Sequence, residues 1–224
     1  MIPPGEAGGE ILIQRLALHP NTARHISTKL ARWFLGENPP QDVIDAATAT
    51  YQTTGGDIKS ILRVLLRREN LTRAEFQPKF RRPFHLATSI LRGLEADVVD
   101  PRFLLAYLSL MGQSPYDWGP PNGYPDTVAA WGSSLLPRWQ FLAFLMAGVI
   151  PGAHVRIGQV NSLLGGFDRE GLPARLSQNV LGGLLSPREQ RLLDELLAAG
   201  EPLVWPEVFE AIGLAASGPG FQWY

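Results

Sequence analysis

Two carboxylates, Asp117 and Asp126, flank a loop that also holds Trp118 and Tyr124, and Trp131 follows shortly after. Carboxylate pairs about 5 Å or about 6.5–9.5 Å apart carry out glycoside hydrolysis, and flat rings beside them stack on sugars. The pattern is compatible with a hydrolase acting on glycosides or esters, with the loop carboxylates as acid and base. The same residues have a plainer reading, in which Asp126 caps a short helix and Asp117 closes a turn ahead of Trp118. A binding function asks for less. Gln113, Trp118, Asn122, Tyr124, Trp131 and Arg138 supply amide, hydroxyl, indole and guanidinium groups next to aromatic surfaces, which suits a small polar ligand, a glycan or a peptide. The stretch from Met111 to Pro125 is rich in proline and glycine, and a loop of that length inside a compact domain is more often a binding segment than a bare connector. A binding or scaffold module is therefore the first expectation and a hydrolase the alternative.

Other chemistry is thinly represented. His25, Lys29 and Arg32 stand at four- and three-residue spacing on one helix face, near His19 and Arg24. They offer either an anion site or an ordinary solvated face. The stretch from Lys59 to Arg82 is basic, with Phe76 and Phe80 interleaved among its arginines and only Asp57, Glu69 and Glu75 to oppose it. The C-terminal helices answer with Glu189, Asp194, Glu195, Glu201, Glu207 and Glu210. Opposite faces of this kind imply internal docking or self-association. With a formal net charge of -1, no nucleic-acid partner is expected. His19, His25, His85 and His154 show no metal-ligand spacing, and neither HExxH, a P-loop, GxSxG nor a dinucleotide-binding glycine turn is present. No metal and no cofactor are expected. There are 0 cysteines, which excludes disulfides, thiolate zinc sites and a cysteine nucleophile.

Helices must position these groups. The 224 residues are 45% hydrophobic, enough for a substantial core. Apolar residues recur at three- and four-residue steps, for example Ala23, Ile26, Leu30 and Phe34, then Ile58, Ile61, Leu62 and Leu65 behind the cap Asp57. Phe84, Ala87, Leu91 and Leu94 mark another helix. Phe103 to Leu110 is apolar nearly all round behind Asp100-Pro101, which predicts a central buried helix. Ser186-Pro187-Arg188-Glu189 is a capping box, followed by Leu192, Leu193, Leu196 and Leu197 and then Gly200 as the stop. No alternating strand appears. The fold class is all-α, an irregular multi-helix bundle of about ten helices with a long Pro/Gly/aromatic-rich loop. Residues 1–150 read as a main helical domain with the aromatic loop at 111–131, residues 151–173 as a glycine-rich linker or insertion, and 174–224 as a C-terminal helical segment packed on it. The longest apolar run, Phe141 to Ile150, is short of the roughly 20 residues a membrane span needs. The first residues have neither the basic region nor the apolar stretch of a signal peptide, so a soluble chain is expected, with its compartment undetermined.

The chain resembles the C-terminal half of a bacterial family known as domain of unknown function 1800. The resemblance rests on His19-Pro20-Asn21-Thr22-Ala23-Arg24 with Lys29-Leu30-Ala31-Arg32-Trp33-Phe34, and on Thr54-Gly55-Gly56-Asp57-Ile58 with Ile61-Leu62-Arg63-Val64-Leu65-Leu66. It continues through Arg82-Pro83-Phe84, Leu91-Arg92, Met111-Gly112-Gln113, Pro120-Pro121-Asn122-Gly123-Tyr124-Pro125, Trp131 and the closing Ser217-Gly218-Pro219-Gly220-Phe221-Gln222, with Gly218 as an extra residue. It implies a helical protein, often exported, of a family with no agreed activity and no catalytic residues to carry over. It also implies an N-terminal half that precedes this region in longer members, or self-association through the apolar surface of the first helices.

Overall fold

The computed structural model describes residues 3–73, 78–198 and 203–224. Glu75 and Phe76 of the basic stretch, and Gly200 and Glu201 near the C-terminal helices, lie outside the described residues. The described residues are predominantly helical, as the periodicity predicts, with one two-stranded ribbon. They form two compact units, 1–78 and 79–224. The division falls inside the stretch that the sequence reads as one domain, because each side closes its own core.

The first unit contains α1 (Glu6–Ala17), α2 (Pro20–Leu35), α3 (Gln41–Thr54), α4 (Ile58–Leu65) and α5 (Arg68–Leu71). Ala23, Ser27, Ala31 and Leu35 form a four-residue stripe of mostly small, buried side chains on α2, which lets α3 approach closely. Val43, Ile44, Ala47 and Tyr51 answer from α3, and Ile61 and Leu65 from α4. Each of the two large α4 side chains is fully buried and contributes about 1.5–3 kcal/mol. Asp57 caps α4 by accepting from the Ser60 N–H at 3.0 Å, and the Tyr51 hydroxyl donates to the Ala17 carbonyl at 2.8 Å. Leu12, Ile13 and Leu16 of α1 are exposed.

The second unit runs through α6 (Pro83–Gly93), β1 (Asp97–Val98), α7 (Arg102–Leu110), α8 (Val128–Trp131), α9 (Leu135–Met146), β2 (Ala153–His154), α10 (Ile157–Leu164), α11 (Leu172–Asn179), α12 (Pro187–Leu197), α13 (Trp205–Ser217) and α14 (Pro219–Gln222). Its core gathers Leu86, Ile90, Phe141, Leu142, Leu145 and Ile212, among others, around α6, α9 and α13. The capping box of α12 forms as the sequence predicts: Ser186 Oγ accepts from the Glu189 N–H at 3.3 Å, and Glu189 Oε2 from the Ser186 N–H at 2.8 Å. The other Glu189 oxygen accepts from the Gly220 N–H at 2.8 Å, which ties α12 to α14. At the start of this unit, residues 79–81 pair with 222–224: Arg81 N–H donates to the Gln222 carbonyl and Lys79 N–H to the Tyr224 carbonyl, both at 2.8 Å.

Three expectations are corrected. Helix α7 is not central: Leu104 and Leu108 are buried, but Phe103, Leu105 and Leu110 are exposed, because α7 packs on α6 and α9 through one stripe only. Residues 151–173 are not a linker. They carry β2, paired antiparallel with β1, and α10, whose Val160 and Leu164 are fully buried. Glycine there makes close approaches possible: Gly152 has φ 77°, a Cβ on it would lie 2.5 Å from Asp100 Cβ, and its carbonyl accepts from both Val99 and Asp100. Phe84 is exposed rather than core-facing; the buried face of α6 is Pro83, Leu86, Ala87 and Ile90.

Candidate functional site

The aromatic loop leaves α7 through Met111, which is 2% exposed and plugs the core, and then turns back over the helices. Its chain is pinned at both ends. Gln113 N–H donates to the Leu108 carbonyl at 2.8 Å, and the Trp131 indole donates to the Pro125 carbonyl at 2.9 Å. The Tyr124 hydroxyl donates to the Ser114 carbonyl, and the Trp118 indole to Asn122 Oδ1 at 3.1 Å. Trp118 and Tyr124 stand with ring centres 5.0 Å apart, and Tyr124 and Trp131 6.0 Å apart. A loop with this many internal hydrogen bonds and ring contacts presents a preformed surface.

Two cavities open beside it and share Trp118 as a wall. One, of about 430 Å³, lies against Met111, Pro125, Trp131 and Ser134. The other, an open cleft of about 470 Å³, is lined by Phe84, Tyr116, Trp118 and Tyr124, with Gln113 and Pro115 completing it. Gln113 is only 7% exposed. Its amide oxygen accepts from the Phe84 N–H at 2.8 Å, while its amide nitrogen has no hydrogen-bond partner among the described residues. An amide group on the lining of an aromatic-walled cavity offers a hydrogen-bond donor beside the rings. Tyr116, at the mouth, is fully exposed and holds φ 63°. A non-glycine residue in the left-handed region costs about 1–3 kcal/mol and persists where the surroundings hold it.

Beneath the loop lies a cationic group. Asp126 accepts from the Lys79 ammonium, and its other oxygen lies 3.8 Å from Arg82 Nε. Arg138 on α9 is fully buried. Its guanidinium donates to Ser134 Oγ at 3.1 Å, Gln222 Oε1 at 3.1 Å and the Arg81 carbonyl at 2.7 Å, and stacks 4.5 Å from the centre of the Phe80 ring. Arg81 lies 4.2 Å over the Phe221 ring. Burial lowers both guanidinium groups to about 10. Arg82 donates to His85 Nε2 at 3.2 Å, so that nitrogen accepts and the ring is neutral with its proton on Nδ1.

The sequence model of the family described as protein of unknown function DUF1800 matches residues 1–223. The chain belongs to the DUF1800 family. No curated protein and no solved structure matches it.

In this DUF1800 chain the sequence-derived site residues separate into groups. Gln113, Trp118 and Tyr124 meet at the larger loop cavity, and Trp131 lines the smaller one with 3% of its surface exposed. Asn122 holds Trp118 from behind. Arg138 does not reach the loop surface; a fully buried guanidinium with three internal acceptors supports the loop's base instead. Asp117 is exposed, and Asp126 is engaged by Lys79 and Arg82 rather than by a helix end. His25, Lys29 and Arg32 are exposed on α2, in the first unit, and make no hydrogen bond or ion pair among the described residues. Among the described residues no group of three or more His, Cys, Asp or Glu could hold a metal, and no helix is long and apolar enough to cross a membrane. Sequence reasoning missed Phe84, Pro115 and Tyr116 as cavity walls. The signal for Phe84 is its position off the three- and four-residue stripe of Pro83, Leu86, Ala87 and Ile90.

The neutral His85 has a measurable consequence. Burial first, and then the charge of Arg82, holds its pKa below the ordinary 6.5; Lys79 and Arg81 act in the same direction and Asp126 opposes them. Below pH 6.5 the unfolded chain takes up a proton that the folded one refuses, so stability falls as pH drops until the folded ring also protonates. His85→Gln keeps an acceptor for Arg82 and removes this titration. The urea midpoint of the native protein is expected to fall more between pH 7.5 and 5.5 than that of the variant; equal losses would show that His85 does not contribute.

Proposed function

We propose that this DUF1800 protein is a helical binding module that recognises a glycan through the cavity between the aromatic loop and the start of α6. The observation that carries this reading is a cavity of about 470 Å³ walled by Phe84, Tyr116, Trp118 and Tyr124, with the amide side chain of Gln113 on its lining. Sugars present flat C–H faces that stack on aromatic rings and hydroxyl oxygens that accept from an amide. A pinned loop meets them with little further ordering. The hydrolase alternative is the weaker one, because Asp126 is committed to two cations and Asp117 stands in solvent.

Calorimetric titration with a panel of oligosaccharides tests the proposal. At least one class is expected to bind, Trp118→Ala to weaken it at least tenfold, and Gln113→Glu to weaken it roughly fivefold while keeping the acceptor for the Phe84 N–H. Absence of binding across the panel, or indifference to both substitutions, would sink the reading. Reducing ends released in the same mixtures, and lost in Asp126→Asn, would put the hydrolase in its place.

A further inference from the structure

Apart from the loop cavities, α9 and α13 lie side by side and leave a groove of about 820 Å³ between them. Its floor is made of small residues, Ala143, Ala147 and Gly213, with Met146 below. A Cβ on Gly213 would stand 3.5 Å from Met146 Cγ. Its walls are aromatic: Trp139 from α9, and Trp205 packed edge-on against Phe209, ring centres 5.5 Å apart, from α13. Trp139 and Trp205 each keep nearly half their surface open, at 46% and 47%. The Trp139 indole donates to the Ser217 carbonyl at 3.1 Å, so its ring orientation is held.

One charge stands in this apolar groove. Glu210 is the sole ionisable residue among those lining it, and its carboxylate makes no hydrogen bond or ion pair among the described residues. Glu207, one turn of chain before it, adds a second negative charge, although its carboxylate also accepts from the Val204 N–H at 3.1 Å. No lysine or arginine lines the groove. Electron-rich indole faces and an unpaired carboxylate attract the same thing, a cation with weak hydration, and repel an anion. The volume lies within the range that small ligands occupy, about 300–1,000 Å³.

We propose that the α9/α13 groove binds an organic cation, an alkylated ammonium carried on an apolar body. The ammonium rests between the indole rings and Glu210, and the hydrocarbon part lies along Ala143, Ala147 and Gly213. The site is independent of the glycan reading.

Decyltrimethylammonium below its micellar concentration is the probe, with decanoate as the chain-matched anion, followed by indole fluorescence and by thermal melting. The cation is expected to bind about tenfold more tightly than the anion and to raise the melting temperature. Glu210→Gln should reduce the preference for the cation about three- to fivefold. Ala143→Phe, at an exposed position on α9, should fill the groove and abolish binding with an unchanged helical circular dichroism spectrum. Equal binding of cation and anion, no binding of either, or binding that survives Ala143→Phe would overturn the proposal. A dimer that Ala143→Phe dissociates would overturn it too, by assigning the groove to a second copy of the chain.

Discussion

Arg138→Met is expected to lower the stability of the 79–224 unit by about 3–5 kcal/mol, a fall in melting temperature of about 6–20 °C. The substitution keeps most of the hydrocarbon volume, so a large cavity is not the cause. It strands three acceptors: the Arg81 carbonyl, Gln222 Oε1 and Ser134 Oγ lose their donor in a site where the guanidinium is fully buried. Each unsatisfied buried group costs about 1–3 kcal/mol. Removing a buried charge also removes its desolvation cost, which is why the estimate stops short of the sum. The guanidinium joins α9, the extended segment at residue 81 and α14, which are distant in sequence. Arg138→Lys is expected to rescue little, because an ammonium cannot reproduce the planar fork or its stacking on Phe80. Chemical denaturation of both variants decides it; a methionine variant within 0.5 kcal/mol of the native protein, on the order of ordinary surface changes, would refute the bracing role.

Gly93→Ala is expected to cost about 2–4 kcal/mol, although alanine is the better helix former. Two effects oppose each other. Helix propensity favours alanine by about 1 kcal/mol. Against it, a Cβ on Gly93 would lie 2.2 Å from the carbonyl oxygen of Val180 and 3.3 Å from its carbonyl carbon. The obstacle is backbone, at the end of α11, and it cannot rotate away as a flexible side chain could. Separation of α6 from that segment is the only relief, and it would open the packing of Ile90, Leu94 and Val180 in the core. Overpacking therefore wins. An exposed control, Gly9→Ala on α1, meets nothing within 4 Å and should stabilise or leave the protein unchanged. Parallel melts of the two variants check the sign, and a Gly93→Ala protein as stable as the native one would contradict the packing argument.

Much of the local structure is legible in the sequence. The Asp57 cap and the Ser186–Glu189 box depend on residues within one turn of each other, and short-range spacing carries that information directly. The same spacing finds α2 and α4 but not their buried faces, which are Ala23, Ser27, Ala31 and Leu35 rather than Ala23, Ile26, Leu30 and Phe34 on α2, and Ile61 and Leu65 without the exposed Ile58 on α4. The aromatic loop was legible as a kind of surface, since its prolines, glycines and rings announce themselves in composition. Family membership could be read from ordered motifs. By contrast, periodicity misplaced α7, because an all-round apolar helix reports hydrophobicity without reporting how many neighbours will cover it. Glycine content misread residues 151–173, because glycine serves close packing as readily as flexibility.

The side-chain directions at the candidate site belong to the tertiary structure alone. Arg138 bonds to residues 57 and 84 positions away, and Lys79 finds Asp126 across 47. No local pattern encodes such pairings, since they arise only when separate helices share one core. That is why the residue types of the site were present in the sequence, while the division between Gln113, Trp118 and Tyr124 at the cavity and Arg138 in the interior was decided by packing.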